Sequence, residues 1–147
     1  MKTLLCIAAL FMLTSTANAQ LLESVTAKEI LPTVKNAAEN GFAQDAVLTH
    51  TMFLGIEFQG IRLELDLTNG KATGWLFRYY SSSLDSSIFY VGAKVPIIGE
   101  QAVKLAIDTL TQYFPITIGT TGMVEPWVDS DDALQGSKDG GADTFLQ

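Results

Sequence analysis

The sequence predicts an α+β fold: a helix followed by an antiparallel β-meander, with a second helix packed on the sheet. Three patterns predict it. Residues 26–40 carry the marks of a capped amphipathic helix. Residues 47–95 are rich in β-branched and aromatic side chains, with unbroken apolar–polar alternation at 61–67 and an Asn69-Gly70 turn signal. Residues 100–113 return to helical spacing.

The chain opens with a short basic head (Lys2), an apolar run from Leu4 to Leu13, and small polar residues ending Ala17-Asn18-Ala19. That order predicts a secretory signal peptide over residues 1–19, cut after Ala19. The apolar run is shorter than the roughly 20 residues a membrane-spanning helix needs. Cys6, the one cysteine, lies early in that run, unlike a lipoprotein cysteine, and leaves with it. The processed chain of 128 residues therefore has no disulfide available, and its stability must come from packing. These features predict a protein of the bacterial periplasm or of the space outside the cell, with no integral membrane span once the signal is removed.

The first helix begins at Thr26. With Glu29 three residues on, Thr26 forms a capping box, and Val25 with Ile30 matches a hydrophobic staple. Ile30, Val34, Ala37 and Ala38 give the apolar stripe. Asn40-Gly41 predicts a left-handed stop. Pro32 lies past the first turn, where it removes a backbone hydrogen bond and predicts a kink or restart.

Strands follow. Residues 47–58 read as one, residues 61–67 as the next, and residues 75–80 as its hairpin partner across Asn69-Gly70. A two-residue loop would place Trp75, Phe77 and Tyr79 on the charged face. A three-residue loop, Thr68-Asn69-Gly70 with a left-handed Gly70, pairs Leu63 with Trp75 and Ile61 with Phe77. Burial of the aromatics favours the second, bulged turn. Residues 81–87 (SSSLDSS) form a polar loop, and residues 88–95 another strand that stops at Pro96. Val103, Ile107 and Leu110, with Ala106 and Phe114 nearby, predict the second helix over 100–113, ended by Pro115. Residues 116–124 read as a short strand or a coil with strand character.

The domain expectation is a signal peptide (1–19), an α+β domain (20–124) and an acidic C-terminal segment (125–147). The last holds six acids against one base, a charge of −5. Without Lys2, eight basic residues face sixteen acidic ones, a net −8. That balance speaks against nucleic acid and anionic membrane surfaces as partners. Within residues 127–143 no register satisfies a calcium loop: from Asp129 the third ligand position is Ala133, the glycine position Leu134 and the twelfth Gly140. A helix accounts for the same residues. Asp129 or Ser130 caps it, Asp131 and Asp132 sit at its positive end, Lys138 near its negative end, and Gly140-Gly141 stops it. Gly136 weakens it by about 1 kcal/mol relative to alanine, so it needs a surface to pack on. The order cap, helix, Asp139-Gly140, Ala142 echoes the first helix and its exit, and predicts the start of a truncated second copy of that unit.

The order of a helix, then strands, then Asp66-Leu67-Thr68-Asn69-Gly70-Lys71 resembles the PepSY-like family of exported bacterial modules. In those modules a helix packs on an antiparallel sheet, in a cystatin-like arrangement, and a strand often ends in a D-x-x-[TN]-G-K turn. The resemblance covers roughly residues 24–80, with a second copy starting near 127. Pro32 and the long aromatic continuation through Tyr80 depart from the short family module. The resemblance implies a secreted non-enzymatic domain with inhibitory or binding roles near the envelope. It implies no shared catalytic residues.

Side chains with chemistry of their own are few. His50 is the one histidine, lies in a strand, and has no G-x-S-x-G companion. It reads as a structural or surface residue. Without cysteine, no His/Cys metal cluster forms, and no cofactor or metal is expected. Ser81, Ser82, Ser83, Ser86 and Ser87 read as a solvated loop. Glu64 and Asp66 share a strand face beside Arg62 and read as an exposed charged face. The aromatic band Trp75, Phe77, Tyr79, Tyr80, Phe89 and Tyr90 reads mainly as core. Leu76, Tyr80 and Tyr90 are expected on the face away from the helices, where an exposed patch would suit a protein or carbohydrate partner. The function expected is that of an exported, non-catalytic binding or inhibitory module, its partner another exported protein or an envelope component. The alternatives are a structural fragment of a larger exported protein and a small hydrolase whose site carries no recognised motif.

Overall fold

The computed structural model describes residues 22–53, 55, 57–58, 61–105 and 119–142. The fold is α+β: a helix, a four-stranded antiparallel sheet and a second helix. Helix α1 (Ala27–Gly41) is followed by strands β1 (Val47–Met52), β2 (Glu57–Phe58), β3 (Ile61–Arg62), β4 (Leu65–Asp66), β5 (Lys71–Ala72), β6 (Trp75–Ser81), β7 (Ser86–Val95) and β8 (Gly99–Leu105). Helix α2 (Ser130–Asp139) comes last. The main sheet has the order β1-β6-β7-β8, while β2 pairs with β3 and β4 with β5.

Helix α1 starts as its local sequence predicts. Thr26 Oγ1 accepts from the Glu29 amide at 3.2 Å, and Glu29 Oε2 accepts from the Thr26 amide at 2.7 Å. Val25 and Ile30 are both buried in the core beneath. Pro32 stands inside the helix without ending it. It lies on the exposed side, where water can satisfy the carbonyl it leaves without a donor. The helix does not stop through a left-handed Gly41. Its C-cap is Phe42, with φ −129°, whose amide bonds to the Ala38 carbonyl. Gly41 serves packing instead: a Cβ there would stand 3.2 Å from the Tyr90 hydroxyl.

Ala27, Ile30, Val34 and Ala38 form the buried stripe of α1. Beneath it lie Trp75, Phe77 and Tyr79 of β6 with Ile88 and Tyr90 of β7. Burial of each such side chain contributes about 1.5–3 kcal/mol. Gly92 of β7 lets the helix approach, since a Cβ would meet Val34 Cγ2 at 2.7 Å and Ile30 Cγ1 at 2.9 Å. The opposite face of the sheet carries a second apolar cluster of Leu63, Leu76, Phe89, Val91 and Leu105.

Three further expectations are corrected. The first is the hairpin across Asn69-Gly70. Gly70 is left-handed (φ 70°), but Asp66 pairs with Lys71 and Leu65 with Ala72, so the loop has one more residue than expected and the ladder ends after two pairs. Trp75 and Phe77 pair with Gly92 and Tyr90 of β7 rather than with Leu63 and Ile61. The long aromatic strand finds a better partner in β7, seven pairs long, than in the short charged strand before it. The second is the helix over 100–113. Residues 99–105 are strand β8, paired with β7 from Val95–Gly99 to Phe89–Leu105, and residues 106–113 lie outside the described residues. The helical spacing runs from Val103 to Ala106, Ile107 and Leu110, whereas Val103 and Leu105 alternate, and pairing with β7 decides for the strand over 99–105. The third concerns residues 47–58, which divide into β1 and β2 rather than forming one strand.

The acidic C-terminal stretch is the second helix. Asp129 is its N-cap, Asp131 and Asp132 lie in its first turn, Lys138 in its last, and Gly141 is left-handed (φ 93°) beyond its end. It seats on the start of α1 and on the β4–β5 turn. Asp129 Oδ1 accepts from the Lys28 amide at 3.0 Å and Ser130 Oγ from the Ala27 amide at 3.3 Å. Lys138 Nζ donates to the Thr68 carbonyl at 3.1 Å. Trp127 packs against the core and under Lys28, whose Nζ lies 4.8 Å from the ring centroid. The predicted leader falls outside the described residues.

Candidate functional site: the β8 edge and the groove beside it

Strand β8 lies at one end of the main sheet. Among the described residues no strand pairs with its outer edge. The direction of its backbone groups follows from β7. The Lys94 carbonyl accepts from the Glu23 amide at 2.8 Å, on the side of β7 away from β8. Lys94 and Glu100 therefore face each other without exchanging hydrogen bonds. Alternation along an antiparallel ladder then turns the N–H and C=O groups of Glu100, Ala102 and Lys104 to the open edge. The Gln101 side-chain amide donates to the Glu100 carbonyl at 2.8 Å and occupies one of these groups.

Beside the edge, on the α1 face, runs a groove of about 330 Å³ lined by Thr33, Asn36, Ala37, Asn40, Glu100, Gln101 and Ala102. Its helix wall follows from the i, i+3, i+4 and i+7 spacing, which puts Thr33, Asn36, Ala37 and Asn40 on one side of α1 next to the buried stripe. Thr33 Oγ1 donates to Glu100 Oε2 and ties helix to strand. Asn40 Nδ2 donates to the Asn36 carbonyl at 2.9 Å and to Asn36 Oδ1, which leaves the other amide groups of this pair turned to the groove or to solvent. An unpaired strand edge beside a wall of amides and a carboxylate offers backbone pairing and side-chain hydrogen bonds to an extended chain.

The three residues expected to form an exposed patch do not share one. Tyr90 faces α1, is 3% exposed, and donates its hydroxyl to the Ala37 carbonyl at 3.2 Å. Leu76 does lie on the opposite face, but it is 2% exposed beneath Leu63, Phe89, Val91 and Leu105. Tyr80 is half-buried, and its hydroxyl donates to Asp85 Oδ1 at 2.8 Å. Period-two alternation correctly separates the faces of β6; it does not show that both are covered.

The serine loop and Asp66 have structural partners. Asp45 accepts from Ser81 Oγ (2.7 Å), Ser82 Oγ (3.1 Å), Ser83 N (2.9 Å) and Ser83 Oγ (3.0 Å). The Ser81 hydroxyl and these other donors hold its carboxyl well below the usual carboxylate range. The serine loop is thus a carboxylate-clamped turn, with Ser81 fully buried and Ser82–Asp85 exposed. Asp66 accepts from the amide and hydroxyl of Thr68 and from Asn69 Nδ2, which lower its pKa and brace the β4–β5 turn. Glu64 is exposed.

Arg78, which the sequence did not single out, is 8% exposed on the face away from α1. Among the described residues its acceptors are all neutral: Thr49 Oγ1 (3.3 Å), Ser87 Oγ (2.7 Å) and the Gly119 carbonyl. Opposite it in β1 is His50, whose Nδ1 is buried without a partner. Burial, and then the Arg78 charge, lower the His50 pKa. Arg78 holds the Gly119 carbonyl, and close by the Met123 amide bonds to the Leu48 carbonyl of β1 at 2.7 Å.

No described helix is long and apolar enough to cross a membrane. Comparison with known proteins adds no relative: no protein-family model, no curated protein and no solved structure matches this chain.

Proposed function

We propose that this chain is an exported, non-catalytic binding or inhibitory module that captures an extended segment of another exported protein by adding it as a strand to β8. The observation that carries this reading is the outer edge of β8, unpaired among the described residues over seven positions, beside the Thr33–Asn36–Asn40 wall. Backbone pairing supplies affinity in such a mode, and side chains entering the groove supply selectivity. The signal-peptide pattern of residues 1–19 supports action in the periplasm or outside the cell. The likeness of Asp66–Lys71 to the PepSY-like turn agrees with a binding or inhibitory role.

Selection of displayed random peptides against the chain from Gln20 tests the reading. The expected outcome is enrichment of extended, alternating sequences, lost in an Ala102→Pro variant. The Ala102 N–H faces outward, so proline removes an edge donor without touching the β7–β8 ladder. No enrichment, or enrichment indifferent to that substitution, would sink the reading.

A further inference from the structure

We infer that the strand complementary to β8 is β8 of a second copy of this chain. The inference rests on the reading of β8 as an open binding edge and names its partner. Two antiparallel strands related by a two-fold axis pair residue i with a residue whose number, added to i, gives a constant. The outward-facing groups of β8 belong to Glu100, Ala102 and Lys104, so that constant must be even. The register centred on Ala102 is the one that uses the whole strand, Gly99–Leu105, in both copies. It sets Ala102 against Ala102 and Gln101 against Val103. It also sets Glu100 against Lys104 of the second copy, and Lys104 against its Glu100.

The sequence GEQAVKL is thus self-complementary in charge in this register. Each Glu100–Lys104 contact places opposite charges directly across an antiparallel pair, the arrangement that stabilises it, and two-fold symmetry supplies the contact twice. Each of the three outward pairs exchanges two backbone hydrogen bonds, about six in all. Glu100 and Lys104 point to the α1 side of the sheet, because Lys104 pairs with Tyr90 and Ala102 with Gly92, both on that side. The two-fold axis runs perpendicular to the joined sheet, so both α1 helices stand on one face and the two polar grooves adjoin. The Gln101 amide that occupies the Glu100 carbonyl in the single chain gives way to a backbone amide of the second copy. A foreign strand at this edge has to displace the second copy, so capture and dissociation are linked.

Sedimentation equilibrium of residues 20–147, from micromolar to millimolar concentration, tests the inference. A monomer–dimer equilibrium that weakens with added salt is expected. Lys104→Glu or Glu100→Lys alone sets like charges opposite and weakens it on the order of tenfold or more. The double swap Glu100→Lys/Lys104→Glu restores it, and Ala102→Pro removes it. The double swap guards against misfolding, since recovery requires that each altered side chain be accommodated, and the thermal melt of each variant is recorded alongside. A wild-type chain that stays monomeric throughout overturns the inference, and peptide enrichment at β8 would then leave the binding reading standing. A dimer that survives Ala102→Pro, or that ignores both single charge changes, places the interface elsewhere and also overturns it. A dimer that follows the charge pattern while no peptide is enriched supports self-pairing and sinks the capture of foreign strands.

Discussion

At the scale of single residues, the polar groups of the sheet are the informative ones. His50 and Arg78 stand opposite each other on β1 and β6, both drawn into the fold. A buried cation with only neutral acceptors holds its place through hydrogen bonds, and it makes a second charge beside it costly. His50 is therefore harder to protonate in the folded chain than in the unfolded one. Its pKa lies below the ordinary 6.5, mainly through burial and then through Arg78. The unfolded chain takes up this proton near 6.5 and the folded chain resists it. Stability from this group is therefore complete above pH 6.5 and falls as the pH drops below it toward the folded value. Urea melts of the wild type and His50→Gln on either side of pH 6.5 check this. The wild type should lose stability on the acid side more steeply than the variant, and parallel curves would refute the assignment. Asp45 works in the opposite sense. Its depressed pKa adds stability above the ordinary carboxylate range, which is lost only as the pH falls through that range to the still lower folded value.

At the scale of elements, the two helix starts are joined. Four amides at the beginning of α1 need acceptors outside the helix. Glu29 and Thr26 serve the amides of Thr26 and Glu29, and the capping box needs nothing further. Ser130 Oγ and Asp129 Oδ1 serve the amides of Ala27 and Lys28 from more than a hundred residues away. Asp129 Oδ1 also accepts from the Ser130 amide at 2.8 Å, so one carboxylate faces the positive ends of two helices. Asp129→Ala should lower stability by ~2 kcal/mol, about twice an ordinary cap loss. Chemical denaturation measures it. A loss no larger than that of Thr26→Ala would show that the carboxylate serves one helix only. The β4–β5 turn is part of the same joint. A Cβ on Gly70 would lie 2.6 Å from the Ser130 carbonyl, so this glycine is needed both for its left-handed φ and for the approach of α2.

At the scale of the whole molecule, residues 127–139 close the fold rather than trail from it. They bring Trp127 to the core, two caps to α1 and Lys138 to the β4–β5 turn. A chain ended at Val124 should melt well below the full chain, with a stability loss on the order of several kcal/mol from the caps and the indole together. It should also show faster amide exchange at Ala27 and Lys28. An unchanged melt with unchanged exchange there would show that the C-terminal helix is an appendage. In the sheet, helix α1 covers one face, the second apolar cluster fills the other, and β8 is left, among the described residues, as an unpaired border.

Sequence alone determined what neighbours in the chain decide. The Thr26–Glu29 box, the Ile30–Val34–Ala38 stripe, the left-handed Gly70, a helix capped at Asp129 or Ser130 and the burial of Trp75, Phe77 and Tyr79 all follow from side chains a few residues apart, or from alternation along one strand. The α+β class follows from those same periodicities. What the tertiary structure decided is partner choice. Residues 61–67 alternate cleanly, yet they lose the aromatic strand to β7, whose pairing is longer and more apolar. Residues 99–105 read as helix through the spacing that runs on beyond them, and the neighbouring edge of β7 makes them a strand. Tyr90 looks outward from its alternation until pairing with Phe77 turns it under α1. The β8 edge and its groove were hidden for the same reason, because they exist only where helix and strand meet. Local hydrogen bonds and periodicity are written in adjacent residues. Pairing between distant strands is settled by competition among surfaces that come together only in the folded chain.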